Sequence, residues 1–229
     1  MGKKNPEKYV ATFDWSCFVL KHVLSLSLSL SPDRQTAGEA IPKDDTTIRP
    51  FKAVYDEAVV KDLYARLDKA KYVVPLLNSF ENGFNGDYLK KVVQHWRHNF
   101  DWKKQVDFLN SFPQFITQIE GIDVHFVRIK PEGNAKVVKP ILLANGWPSN
   151  FHQLYKVADQ LRKPVNGVAF EVVIPSRPGY GYSERPNHAN FSIADSVRIY
   201  SKLMKRLGHT KYYMHGEDWG KAPIHKSAS

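Results

Sequence analysis

From Lys211 the chain runs Lys211-Tyr212-Tyr213-Met214-His215, an aromatic-rich stretch that reads as a β-strand, straight into Gly216-Glu217-Asp218-Trp219-Gly220. This is the spacing small-x-nucleophile-x-small. Such a sharp strand-to-helix turn needs small residues on either side, and it lifts its central side chain above the edge of a sheet. Few folds accommodate that turn, so the residues before it must supply a sheet. They do. Phe115–Ile119 and Ile122–Ile129 read as two strands joined at Glu120-Gly121, a hairpin signal. Pro140–Ala144 is a short, wholly apolar strand of the buried kind, Asn150–Leu161 is helical, and Phe170–Ile174 is another strand. Ser192 reads as the cap of a helix over Ile193–Leu207, whose apolar face is Ile193, Val197, Tyr200, Leu203, Met204 and Leu207, and Gly208 is its stop. Two antiparallel strands followed by strand and helix in alternation predict an α/β fold with a largely parallel sheet.

Ahead of that sheet lies a helical, aromatic-rich stretch. Val59, Val60, Leu63 and Leu67 recur at helical spacing from Asp56, in a pattern that Pro75 ends. Further helices are predicted over Gly86–Asn99 and Trp102–Asn110. Residues 1–46 read differently, as a divergent low-complexity leader with a serine–leucine alternation over Ser25–Leu30. Its apolar run, Trp15–Leu30, is interrupted by Lys21 and His22 and falls short of the roughly 20 apolar residues a spanning helix needs. It also lacks the region order of a signal peptide. The expected organisation is therefore a leader over 1–46, a helical module over 47–112, a sheet domain over 113–220 and an unrelated tail over 221–229.

The loops after the predicted strands carry the chemistry. Asp218 is the raised residue, and a carboxylate can attack carbon and form an ester intermediate. Two backbone N–H groups would then steady the ester's carbonyl oxygen, one from Trp219 and one from Trp147 in the loop Asn145-Gly146-Trp147-Pro148. A third loop, Pro175–Ser183, is shaped by Pro178, Gly179 and Gly181. Gly-x-Asp-x-Gly alone is a weak signal. Three loops, each at the carboxyl end of a predicted strand, form a much stronger one, because ligands in open α/β sheets bind at that edge.

On these residues the chain resembles the microsomal-type epoxide hydrolases, including the juvenile hormone epoxide hydrolases of insects. The resemblance takes in Ile48–Lys52, Asn82–Asn85, Tyr88–Lys91, Trp96–Gln105, the Trp147-Pro148 loop, the PGYGYS loop and the Asp-Trp-Gly turn. It implies an α/β-hydrolase fold with an N-terminal helical meander. It implies Asp218 as the nucleophile that opens the epoxide to a glycol ester, with Trp219 and Trp147 as oxyanion-hole donors. It implies lipophilic epoxides as substrates, vicinal diols as products, water as the cosubstrate and neither metal nor organic cofactor. The same resemblance implies an endoplasmic-reticulum or microsomal-membrane setting, through peripheral membrane contact where the leader anchors the chain, and a cytoplasmic one where it does not.

The chain departs from the family at Asn145, where the family usually carries histidine, so the geometry of that loop is open. Glu217 sits beside Asp218, and a neighbouring carboxylate disfavours ionisation if both are desolvated. Only nine residues follow Gly220. The family's base histidine, orienting acid and cap tyrosines all come later, so the expectation for this chain alone is an inactive form whose last strand is an open edge. The alternative is a non-catalytic short form that binds lipophilic epoxides or pairs with a full-length relative.

Composition narrows the remaining classes. One cysteine, Cys17, rules out an internal disulfide framework and a cysteine-based zinc site. The net charge of +10 invites a nucleic-acid reading, but basic residues occur in scattered pairs such as Lys90-Lys91 and Lys205-Arg206 rather than as a dense stripe, so no nucleic-acid partner is expected. His95 and His98 at i, i+3 lack further ligands nearby in sequence, and Gly179-x-Gly181 lacks a dinucleotide loop's third glycine.

Overall fold

The structure is a computed structural model that describes residues 43–72, 80–81, 83–186 and 188–220. The leader through residue 42 and the tail over 221–229 lie outside the described residues. Two compact units emerge, Pro50–Gln114 and a second unit formed by residues up to Arg49 together with Phe115 onward.

In the first unit, α1 spans Glu57–Asp68, α2 Gly86–His98 and α3 Trp102–Leu109. Each begins on an acidic or amide side chain that takes over orphan backbone N–H groups. Asp56 accepts from the N–H of Ala58 and Val59, Asn85 from Tyr88, and Asp101 from Lys104. Helix α1 stops at Asp68, well before Pro75, because Lys69 and Ala70 close its last turn through bonds to Arg66 and Leu67 carbonyls. Arg97 of α2 holds Asp68 of α1 through two nitrogens at 2.9 and 3.2 Å and lies 4.6 Å from the centre of the Tyr64 ring. Asn110 fixes Ala53 by bonding both its N–H and its carbonyl, at 2.9 Å each.

The sheet has six strands in the order β1-β2-β3-β5-β4-β6. They are β1 Arg49–Phe51, β2 Gln114–Ile119, β3 Ile122–Ile129, β4 Val137–Ala144, β5 Val168–Pro175 and β6 Tyr213–Gly216. Strand β5 runs antiparallel to β3 and parallel to β4, and β4 is parallel to β6. The α/β expectation is met, in a mixed sheet. Strand β1 has no signature in the sequence, since three residues are too few to show a period. The stretch read as one helix over Asn150–Leu161 is a 3-10 turn, Phe151–Leu154, followed by α4, Tyr155–Leu161. Helix α5, Ile193–Arg206, packs Ile199, Tyr200, Leu203 and Met204 into a core with Val124, Phe126, Leu142 and Val173. Its first turn is closed by Asp195 Oδ2, which accepts from both the N–H and the hydroxyl of Ser192 at 2.7 Å. These bonds, then Arg198, hold the Asp195 carboxyl well below the usual carboxylate range.

The turn between β2 and β3 has positive φ at both Glu120 and Gly121, the geometry of a tight primed hairpin. A non-glycine residue held there needs support. Asp44 accepts from both backbone N–H groups, at 2.9 and 2.8 Å. Glu120 in turn receives two nitrogens of Arg198 and the ammonium of Lys202, each at 2.8 Å, which ties the hairpin to α5. These hydrogen bonds, Arg198's first, hold the Glu120 carboxyl below its ordinary value. Exchanging Glu120 for glutamine is expected to cost roughly 1 kcal/mol of stability at neutral pH, as a loss of charge-assisted bonds at a partly exposed site. Urea unfolding of the two proteins checks it.

Candidate active site

Strands β4 and β6 pair with Ala144 opposite Gly216, so the loops that leave their carboxyl ends emerge side by side. At the end of β6 the chain reverses through the short 3-10 turn Asp218–Gly220. Asp218 sits at φ +50°, a left-handed conformation that non-glycine residues adopt at a cost of about 1–3 kcal/mol when the surroundings hold them there. The turn closes by the Gly220 N–H donating to the Glu217 carbonyl at 2.8 Å. Gly216 makes this possible, because a Cβ there would collide with the carbonyl of Gly220.

The loop after β4 reaches the raised carboxylate directly. The Trp147 backbone N–H donates to Asp218 Oδ1 at 2.9 Å. Gly146 lets it approach, since a Cβ on Gly146 would stand 2.5 Å from Asp218 Cβ. Asn145 proves compatible with a closed loop. Its Nδ2 donates to the carbonyls of Ser149 at 2.9 Å and Gly146 at 3.2 Å, and the Ser149 hydroxyl donates to Gly146 at 2.9 Å. Trp219 occupies the same turn as Asp218. The structure thus brings Trp147 onto Asp218 by a hydrogen bond and sets Trp219 next to it in sequence. Asp218 is exposed, and Glu217 beside it is half-buried.

The loop after β5 is pinned from below. The Ser176 N–H donates to the His125 carbonyl and the His125 N–H to Ser183 Oγ, both at 2.9 Å, while Ser183 Oγ donates to the Ser176 carbonyl at 2.7 Å. His125 Nδ1 and Ser176 Oγ are 2.9 Å apart. His125 is fully buried between Phe151 and Tyr182, and burial pushes its imidazole down to about 3.

The three loops and the start of α5 enclose a cavity of about 310 Å³ whose walls include Trp147, Phe151, Ser176, Arg177, Tyr200 and Trp219. Ser196 lines it too, one turn before Tyr200 on α5. Sequence reasoning missed Arg177 and Ser196 as site residues. The signal was present, since Ser196 lies four residues before Tyr200 on the predicted inward face.

A strained turn raising an acid beside backbone donors, at the carboxyl edge of a sheet, defines an α/β-hydrolase. A family model described as "Epoxide hydrolase N terminus" matches residues 48–154, and one described as "alpha/beta hydrolase fold" matches residues 139–220. Among curated proteins, "Epoxide hydrolase 1" of Oryctolagus cuniculus is 44% identical over 185 residues, covering 77% of this chain and 41% of that protein. "Juvenile hormone epoxide hydrolase 1" of Ctenocephalides felis is 39% identical over 180 residues, covering 77% and 39%. The crystal structure of juvenile hormone epoxide hydrolase from Bombyx mori superposes with a TM-score of 0.74 at 34% identity, covering 79% of this chain and 49% of that one. The chain belongs to the epoxide hydrolase family. It spans about two-fifths of the length of the curated relatives it matches.

Proposed function

We propose that this chain carries the nucleophilic part of an epoxide-opening site. The observation that supports the reading most is the 2.9 Å bond from the Trp147 N–H to Asp218 Oδ1 at a positive-φ turn. The oxygen held by an N–H is the one suited to become an ester carbonyl, which leaves the attack to Oδ2. Oδ2 bonds to an epoxide carbon, the carbon–oxygen bond of the ring breaks, and the released alkoxide takes a proton from an acid or from water. The product is a hydroxyalkyl ester of Asp218. Water then adds to the ester carbonyl, giving up a proton to a base, while the N–H groups of Trp147 and Trp219 bear the oxyanion. Collapse releases the diol and restores the carboxylate. Aromatic walls at Trp147, Phe151 and Trp219 suit lipophilic epoxides.

Ester formation needs a nucleophile, whereas ester hydrolysis gains about 10²–10⁴-fold from a general base. The described residues lining the cavity include neither histidine nor carboxylate. On incubation with styrene oxide the 229-residue chain is therefore expected to gain the mass of one epoxide and to keep it. Intact-mass spectrometry with peptide mapping should place the addition on Asp218 and find none in Asp218→Asn. Equal labelling of that variant, or steady diol release by the chain, overturns the reading. An endoplasmic-reticulum setting belongs to the same proposal. Among the described residues no helix is long and apolar enough to cross a membrane.

A further inference from the structure

Epoxide opening at Asp218 makes no use of His125, a fully buried imidazole on β3. A polar side chain in that position has to find its partners inside the protein. Those of His125 belong to two different loops. Its Nδ1 lies 2.9 Å from Ser176 Oγ in the loop after β5. Its backbone brackets the same loop, accepting from the Ser176 N–H and donating to Ser183 Oγ. Tyr182 of that loop meets the imidazole edge to face, with ring centres 5.3 Å apart. On its other side the imidazole packs against Phe151, at 4.9 Å between ring centres. Phe151 follows the Trp147 loop and opens the 3-10 turn that leads into α4. Phe151 and Ser176 both line the cavity. One side chain that is not itself a wall residue therefore touches a wall residue from each of two loops.

The loop after β5 is built around the atom that His125 holds. Gly181, at φ +57°, folds back so closely that a Cβ on it would stand 2.5 Å from Ser176 Oγ and 3.6 Å from the Phe151 ring. Ser176 Oγ must therefore stay in one place for Gly181 and Phe151 to fit around it. The rest of the loop closes on itself. The Gly179 N–H donates to the Glu184 carbonyl and the Tyr180 N–H to the Arg177 carbonyl, both at 2.8 Å, and the Glu184 N–H donates back to the Asp123 carbonyl of β3 at 2.8 Å. We infer that His125 is a positioning residue, whose imidazole holds the loops after β4 and β5 at the spacing that walls the cavity and so sets how tightly an epoxide is held without touching it. The epoxide portion of this inference rests on the function proposed above. Asp218 itself is placed by other means, the pairing of β4 with β6 and the bond from the Trp147 N–H. Loosening the wall should therefore weaken binding and leave the rate of attack by the bound state unchanged.

Two substitutions in the 229-residue chain remove the same bond from opposite ends. His125→Phe keeps a ring against Phe151 and Tyr182 but has no Nδ1, and Ser176→Ala deletes only the hydroxyl and asks for no repacking. In each, the styrene oxide concentration that half-saturates labelling of Asp218 is expected to rise about five-fold, the scale of one net hydrogen bond, with the limiting rate constant within about two-fold of wild type. The double variant should shift no further than either single one, because both remove one contact. Hydrogen exchange reads the loop without any epoxide. The amides of Ser176, Gly179, Tyr180, Ser183 and Glu184 should exchange faster in both variants, while those that pair β4 with β5 keep their wild-type rates. An unchanged half-saturation in Ser176→Ala, or exchange that rises equally across the whole sheet, overturns the inference, since the first makes the bond inert and the second makes His125 an ordinary core residue. Faster loop exchange in variants of a chain that styrene oxide does not label, wild type included, removes the epoxide reading and leaves His125 as the anchor of both loops. Saturable labelling of all three proteins, with neither loop exchange nor half-saturation moved, does the reverse.

Discussion

Replacing Gly216 with alanine is expected to abolish epoxide labelling of Asp218 and to lower stability by about 3 kcal/mol, the upper part of the range for overpacking. The new methyl group would meet the carbonyl oxygen, carbonyl carbon and Cα of Gly220. All three are backbone atoms, so no side chain can swing aside. The turn must open, and the Gly220 N–H would leave the Glu217 carbonyl. Asp218 has no reason to keep φ +50° once that closure is gone, because the left-handed conformation persists only while its surroundings impose it. Relaxation swings the carboxylate off the Trp147 N–H. A displacement of about 1 Å at a reacting group can cost on the order of 10²-fold in rate. Labelling yield by intact mass and the urea midpoint should therefore fall together. A variant with wild-type stability and wild-type labelling would show that the tight turn is dispensable.

The same turn explains why the site is legible in the sequence. Gly216, Asp218 and Gly220 stand at the one spacing the geometry tolerates, and the apolar strand Pro140–Ala144 announces a buried neighbour. Parallel pairing of Ala144 with Gly216 then makes the meeting of Trp147 and Asp218 a consequence of strand register. What escapes a sequence reading depends on contacts across long separations. Asp44 supports the Glu120-Gly121 turn from 76 and 77 residues away, and nothing local to Asp44 marks it as a cap. Arg177 looks like an ordinary loop residue, because lining a cavity is a property of the folded chain and not of its neighbours in sequence. His125 stands between Val124 and Phe126 in a strand whose alternation would turn it to solvent. The loop after β5 covers that second face, so the histidine is enclosed.

That enclosure makes stability depend on pH. Burial holds the His125 imidazole near 3, against about 6.5 for the same side chain in an unfolded chain. The folded state therefore resists protonation while the unfolded state accepts it. For a group depressed on folding in this way, its full contribution is present above pH 6.5 and is lost progressively as pH falls toward 3. Between pH 7 and pH 5 the linkage amounts to about 2 kcal/mol, and it continues to grow by about 1.4 kcal/mol per unit below that. Carboxylates do not confuse this window, because Asp195 and Glu120 are held below their ordinary values and contribute their losses at more acid pH. Urea unfolding of the wild-type chain at pH 7 and pH 5 should show the loss. His125→Gln offers a neutral side chain that can still hydrogen-bond near Ser176 Oγ, and it cannot titrate. Its stability at pH 7 should be lower than wild type, for imperfect packing against Phe151 and Tyr182, and its further loss on going to pH 5 should be about 2 kcal/mol smaller. The loop that carries Arg177 is anchored on this histidine through Ser176 and Ser183. Parallel stability losses in both proteins would mean that His125 is not the group protonated on acid unfolding.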